Sequence, residues 1–132
     1  EWLSITIDSF LNKYSNPLSI ADDEALKNVA NYIDDHYATS ISQDTLEKIS
    51  TMSGTKLKKL FKQKYQCTIT EYTQRRRMNM AELLLLNSTL KIQDIAEAVG
   101  YSSHSKFSTC FKKYKGFYPK DIKKYAKNNL SD

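Results

Sequence analysis

The sequence is short of almost everything that builds a sheet, a metal cage or a catalytic centre. Three glycines and two prolines in 132 residues are too few turn formers for many short strands, and few enough breakers for long helices. The two cysteines, Cys67 and Cys110, stand in no metal-ligand spacing. They read as reduced, buried thiols, with redox sensing as the minor alternative. His36 and His104 lie far apart, and no Gly-rich phosphate loop accompanies them. No catalytic constellation assembles, so neither an enzyme nor a cofactor nor a metal is expected. The longest purely leucine run is LLLL at 83–86, far below the ~20 apolar residues of a membrane span. With no signal-peptide pattern either, a cytoplasmic location is expected. The chain starts at Glu1 rather than Met, which suggests a piece of something longer.

What is present in quantity is charge, unevenly spread. Residues 1–51 carry three Lys/Arg against nine Asp/Glu, and residues 52–132 carry seventeen against six. A strongly basic C-terminal part points to a polyanionic partner, of which nucleic acid is the usual one. Leu, Ile and Ala abound, and the apolar content of 40% suffices for an ordinary core. An all-α fold is expected.

Along the chain, Leu3, Ile7, Phe10, Leu11 and Tyr14 recur at helical spacing and predict an amphipathic helix over residues 1–15. It ends at the breaker Ser15-Asn16-Pro17. This segment (1–22 with its linker) is either the tail of a missing regulatory domain, a dimer contact, or a helix folded onto the rest. Asp22 or Asp23 then caps a helix over about 24–38, with Leu26, Val29, Ala30, Ile33 and Tyr37 inward. His36 within it reads as a surface or satisfied core residue rather than a ligand. Ser42 and Asp44 start a short helix with Leu46 and Ile49, and Ser53 caps GTKLKKLFKQKY. Thr68 or Thr70 caps a helix to about Asn87, with Tyr72, Ala81, Leu84 and Leu85 inward. Ile122, Tyr125 and Ala126 form a closing helix.

The organising stretch is Ile92–Pro119. Ile92, Ile95 and Ala96 form one apolar face, Gly100 provides the turn, and Ser102 or Ser103 caps a second helix whose inward residues are Phe107 and Phe111. That is a helix-turn-helix pattern, and it occurs twice. A shift of fifty places Ser53 on Ser103, Leu57 on Phe107, Phe61 on Phe111 and Ile69 on Pro119. The shift is forty-nine before the turn, placing Leu46 on Ile95 and Glu47 on Ala96.

The set Ile92, Ile95, Ala96, Gly100, Tyr101, Ser103, Phe107, Phe111, Lys112, Gly116 and Pro119 resembles the second helix-turn-helix of the AraC/XylS family of bacterial transcription regulators. The likeness spans roughly 24–127. It implies a DNA-binding domain over 23–132 with about seven helices. Two helix-turn-helix units (about 42–65 and 91–115) would be joined by a linker helix (about 69–87) and enter neighbouring major grooves. At ~1.5 Å per residue the linker would measure about 28 Å, near the ~34 Å between successive groove faces. Carried over by position, the family roles make Thr55, Lys58 and Lys59 base readers and Lys62 a phosphate contact. In the second unit His104, Ser105, Ser108 and Thr109 match the base-reading positions, with Lys106 and Lys112 at the margins. Arg77 matches the family arginine four residues before Ala81 and joins the expected DNA contacts. RNA polymerase and an N-terminal regulatory domain are the further partners implied.

Several positions depart from that pattern. Glu47 replaces a small Ala, Gln43 an apolar residue, Thr51 the turn glycine, and Gln66 the glycine that Gly116 keeps. They predict either looser packing in the first unit or a unit that orders on DNA. Tyr118 and Lys123 are milder departures. The leading expectation is sequence-specific duplex DNA binding that activates or represses transcription. The alternative is a helical protein-interaction module that has lost DNA. RNA reading is disfavoured for want of a stacking aromatic platform.

Overall fold

The structure is a computed structural model and describes residues 18–130. The helix expected at 1–15 lies outside the described residues. Within them are seven α-helices and no strand: α1 (Ile20–His36), α2 (Gln43–Ser50), α3 (Gly54–Tyr65), α4 (Ile69–Asn87), α5 (Ile92–Ala98), α6 (His104–Lys115) and α7 (Pro119–Leu130).

Most helix starts follow from short hydroxyl side chains. Ser42, Ser53, Thr68 and Ser103 each accept a backbone N–H of the first turn of α2, α3, α4 and α6. Each satisfies one of the donors that a helix leaves open at its N-terminus. Thr68 does so within a full capping box, Glu71 reaching back to the Thr68 N–H at 3.0 Å. The start expected for α1 is corrected. Ser19 caps it, accepting the Asp22 N–H at 3.0 Å, and Asp22 and Asp23 sit in the first turn. There their charges still favour the positive end of the helix dipole. Pro119 opens α7, where its missing N–H costs nothing.

Two cores form, one per repeat. The first joins Leu26, Val29, Ala30 and Ile33 of α1 to Leu46, Met52, Leu57 and Phe61. The second joins Met78, Ala81 and Leu85 of α4 to Ile95, Ala96, Val99, Phe107 and Phe111. The linker helix serves both, because Ile69 and Tyr72 at its start pack on the first core while Met78, Ala81 and Leu85 belong to the second. Of its expected inward residues, Ala81 and Leu85 are buried, while Tyr72 and Leu84 are half-buried. Met78, hidden between Arg77 and Asn79 in the sequence, is fully buried. Tyr125 is corrected from inward to exposed at 64%. Pro119, Ile122 and Ala126, at spacings of three and four, carry the inward face of α7.

The turns of the two repeats have the same hand although their residues differ. Thr51 (φ 56) and Gln66 (φ 60) take the left-handed conformation that Gly100 (φ 100) and Gly116 (φ 84) take in the second repeat. A side chain there costs roughly 1–2 kcal/mol, and local hydrogen bonds offset part of it. Thr51 Oγ1 donates to Ser50 O (2.6 Å), Gln66 Nε2 donates to Gln63 O (2.8 Å), and the Gln66 N–H donates to Lys62 O (2.8 Å).

The looser packing expected for the first unit is not found in its core, where Leu46 is 5% exposed, Leu57 2% and Phe61 0%. Bulk has changed sides instead. The first repeat has Gln43 and Glu47 on α2 facing Gly54 at the start of α3. A Cβ on Gly54 would run into Gln43 Nε2 and lie 3.2 Å from Glu47 Oε1. The second repeat puts Ile92 and Ala96 at the corresponding α5 positions, and the larger His104 opposite.

Candidate nucleic-acid interface

The two helices that follow the turns, α3 and α6, each bury a pair of residues four apart. Leu57 and Phe61 anchor α3, and Phe107 and Phe111 anchor α6. That seating decides what the other faces show. On α3, Thr55, Lys58, Lys59 and Lys62 are all exposed. On α6, His104, Ser105, Lys106, Thr109 and Lys112 are exposed and Ser108 is half-buried. Ten of the eleven residues expected to meet DNA therefore lie on these two helices.

The lysines of α3 divide into two sets. Lys56 Nζ is 3.5 Å from Asp22 Oδ1, and Lys64 pairs with the Asp23 carboxylate and donates to Asp23 O at 3.3 Å. Lys64 holds the Asp23 carboxyl below its ordinary value, chiefly through that side-chain hydrogen bond. Lys58 and Lys59 make no hydrogen bond or ion pair among the described residues. The acidic first turn of α1 thus neutralises one flank of α3 and leaves the other cationic. This explains in part why an acidic N-terminal stretch accompanies a basic partner surface.

The α6 surface is different. Its outward groups are small and partly self-engaged. Thr109 Oγ1 donates to Ser105 O (2.9 Å), and Lys112 Nζ donates to Gly116 O (2.9 Å) while standing 5.2 Å above the Tyr118 ring. The helix is held on the linker by Tyr114, whose hydroxyl donates to Gln74 Oε1 (2.8 Å), and by Lys115, which donates to Asn79 Oδ1 (2.6 Å).

Beside α3 an open groove of about 890 Å³ runs between α2, α3 and the start of α4, floored by Leu46, Leu57 and Ile69 and rimmed by Lys58, Lys59 and Lys62. The matching groove of the second repeat holds about 220 Å³. There His104 stands in place of Gly54, and Tyr118 in place of Thr68.

Arg77 is placed apart from this surface. Its Nε donates to Tyr37 O (2.6 Å), its Nη2 donates to Thr39 O (3.2 Å), and its guanidinium lies 5.3 Å from the Tyr101 ring centre. Both of these donors are thus engaged by carbonyls of the protein itself, which gives Arg77 a structural role beside the DNA contact expected of it. Arg76 is also engaged, donating to Asp34 Oδ1 at 3.0 Å, which leaves Arg75 as the exposed member of the triplet. Nothing in the sequence alone separated Arg77 from a phosphate contact, because the carbonyls that it binds come from a loop some forty residues away.

Residues 46–125 match the model of a helix-turn-helix domain family. The chain belongs to the AraC/XylS family. Its curated relatives include the HTH-type transcriptional activator RhaS of Escherichia coli, 32% identical over 92 residues. The chain is 33% identical over 101 residues to the Msm operon regulatory protein of Streptococcus mutans, covering 76% of this chain and 36% of that protein. Among solved structures it is similar to the C-terminal domain of the two-component response regulator yesN of Fusobacterium nucleatum. The TM-score is 0.70 and the identity 32%, over 76% of this chain and 98% of that one. It shares its fold with the DNA-binding domain of AdpA, solved with a target DNA (TM-score 0.73, 18% identity, 79% of this chain and 94% of that one). The AraC-type chain spans about a third of the length of the curated relatives it matches. Among the described residues no group of three His, Cys, Asp or Glu could hold a metal ion, and no helix is long and apolar enough to cross a membrane.

Proposed function

We propose that this domain reads duplex DNA with α3 and α6 in two successive major grooves, and that the two helices divide the work. The carrying observation is the contrast between their outward faces. The α3 face is Thr55, Lys58, Lys59 and Lys62, with Lys58 and Lys59 left uncompensated beside a flank that α1 neutralises. Such a face attracts phosphate and releases counterions. The α6 face offers His104, Ser105, Ser108 and Thr109, short hydrogen-bonding groups suited to base edges, with Lys106 and Lys112 at its margins. In this reading α3 supplies more of the affinity and α6 more of the discrimination. Lysine is a point charge and a poorer judge of bases than a bidentate arginine.

The whole protein is read as a transcription regulator without catalytic activity of its own. It would carry a further regulatory domain on the N-terminal side, with residues 1–22 as its possible tail, and act through RNA polymerase. Support for the extra domain comes from the chain's share of its relatives' length and from the response-regulator origin of the yesN domain.

Selection from a random duplex pool at near-physiological salt tests the proposal. The expected result is enrichment of two short blocks about ten base pairs apart. A single block would confine reading to one helix. Binding that enriches nothing and vanishes as salt rises would sink sequence-specific reading and favour a basic protein-interaction module.

A further inference from the structure

The two helix-turn-helix units are connected twice. One connection is the linker helix α4. The other is a direct contact between the α1–α2 loop of the first unit and the turn of the second. Gly100 sits so close to that loop that a Cβ there would lie 2.8 Å from Ala38 O and 3.1 Å from Arg77 Cζ. Arg77, rooted in α4, fastens the same place. Two of its nitrogens hold the carbonyls of Tyr37 and Thr39 on either side of Ala38, and its guanidinium carbon lies over the Tyr101 ring. Tyr101 passes the contact on, its hydroxyl donating to Cys110 Sγ (3.3 Å) in the middle of α6.

We infer that Arg77 is a positioning residue that fixes the orientation of the second recognition helix relative to the first, and so sets the spacing of DNA sites that the domain accepts. A single helix joining two bodies leaves them free to swing as it bends. A second contact off its axis closes a triangle and removes that freedom. Guanidinium suits the task because its planar fork can bind two carbonyls and stack on a ring at once, which an ammonium cannot. The inference rests on the two-groove reading proposed above. One inserted base pair rotates the second block by roughly 34° and moves it by about 3.4 Å, so a rigid reader rejects it and a hinged one tolerates it.

The experiment compares wild type with Arg77→Met and Arg77→Lys on the selected two-block site, on versions with one base pair added or removed, and on each block alone. Thermal unfolding of each variant accompanies the binding data. Wild type should lose at least about tenfold in affinity on the altered spacings. Arg77→Met should narrow that ratio to about threefold or less, with single-block affinity and salt slope unchanged, and Arg77→Lys should fall between. A uniform loss on every site with the salt slope reduced by about one would make Arg77 a phosphate contact and overturn the inference. So would an unaltered spacing ratio. Residual dipolar couplings of the free domain provide a second readout that needs no DNA. Wild type should fit one alignment tensor across both units, and Arg77→Met should need two. A wild type with one tensor but no two-block preference would refute the groove reading and leave the clamp standing. One shared tensor in Arg77→Met would refute the clamp. If Arg77→Met does not fold, Arg77→Lys carries the same two readouts, and an unchanged result there overturns the inference.

Discussion

The two repeats solve one packing problem with opposite distributions of bulk. In the second, α5 is slim where it meets α6: Ala96 is fully buried and the incoming helix opens with His104. In the first, α2 carries Gln43 and Glu47 and the incoming helix opens with Gly54, whose missing Cβ leaves room for them. Each position taken singly departs from its counterpart, yet the pairs are complementary. A small residue is needed on one side of the crossing, and either side will serve. The exchange also sets the surface, since Gly54 keeps the α3 groove open beside its lysines while His104 and Tyr118 help fill the other.

Moving one partner without the other should break the comparison most severely. Ala96→Glu places a carboxylate where no exposure remains. An uncompensated buried charge costs on the order of 3–5 kcal/mol, enough to unfold the second unit of a domain of ordinary stability. Adding His104→Gly restores the first repeat's arrangement and should recover a clear part of the loss. Urea unfolding of the single and double variants would show this. Equal stability of the two variants would mean that the exchange is not a packing compensation.

The turns give the next largest effect. Gly100→Ala meets both a positive φ and the Ala38 carbonyl, a backbone atom that cannot swing aside. It should destabilise by roughly 2–3 kcal/mol. Thr51→Gly removes a strained side chain at the matching turn, and should stabilise or be neutral within about 1 kcal/mol. The two melting temperatures should therefore move in opposite directions, or only the first should fall. A large loss from Thr51→Gly would show that its hydrogen bond to Ser50 outweighs the backbone strain.

On DNA, the contrast between α3 and α6 should appear in kind more than in size. Ser105→Ala or Thr109→Ala should relax the base preference at one position by about 1–3 kcal/mol. Lys62→Ala should weaken all sequences alike and lower the salt slope by roughly 0.9. Titrations of matched and mismatched duplexes at several salt concentrations separate the two patterns. Uniform loss from all three variants would end the division of labour.

Much of this was legible beforehand because helices are local. The spacing of Leu57 and Phe61, repeated by Phe107 and Phe111, settles which faces point in, and hydroxyl residues before apolar runs mark the caps. The long-range partners were not legible. Arg77 reads as a surface cation until the Tyr37 and Thr39 carbonyls are placed beside it. Gln43 and Glu47 read as packing defects until Gly54 is seen opposite. Tyr125 was misjudged because one residue of rotation on α7 separates it from Ala126, and periodicity over so short a helix tolerates that error.

The smallest expected difference lies in acid. The first repeat has two carboxylates held below their ordinary values. Asp23 is lowered chiefly by its hydrogen bond from Lys64, and Glu71 by the backbone and hydroxyl of Thr68 in the capping box. For a carboxylate lowered on folding, the stabilisation is fully present above its unfolded value and is lost as pH falls through the folded one. The windows open downward from 3.8 for Asp23 and from 4.5 for Glu71. The second repeat has Tyr118 where Thr68 stands, so Asp121 at Glu71's position gains no comparable box. Amide hydrogen exchange followed from pH 5 to pH 3 should then show the start of α4 loosening more than the start of α7, after allowance for intrinsic rates. Thr68→Ala and Lys64→Met should flatten that difference. Both groups are near solvent, so screening keeps the effect small. Its location at the start of α4 is the stronger test, because the capping box of Thr68 and Glu71 sits there.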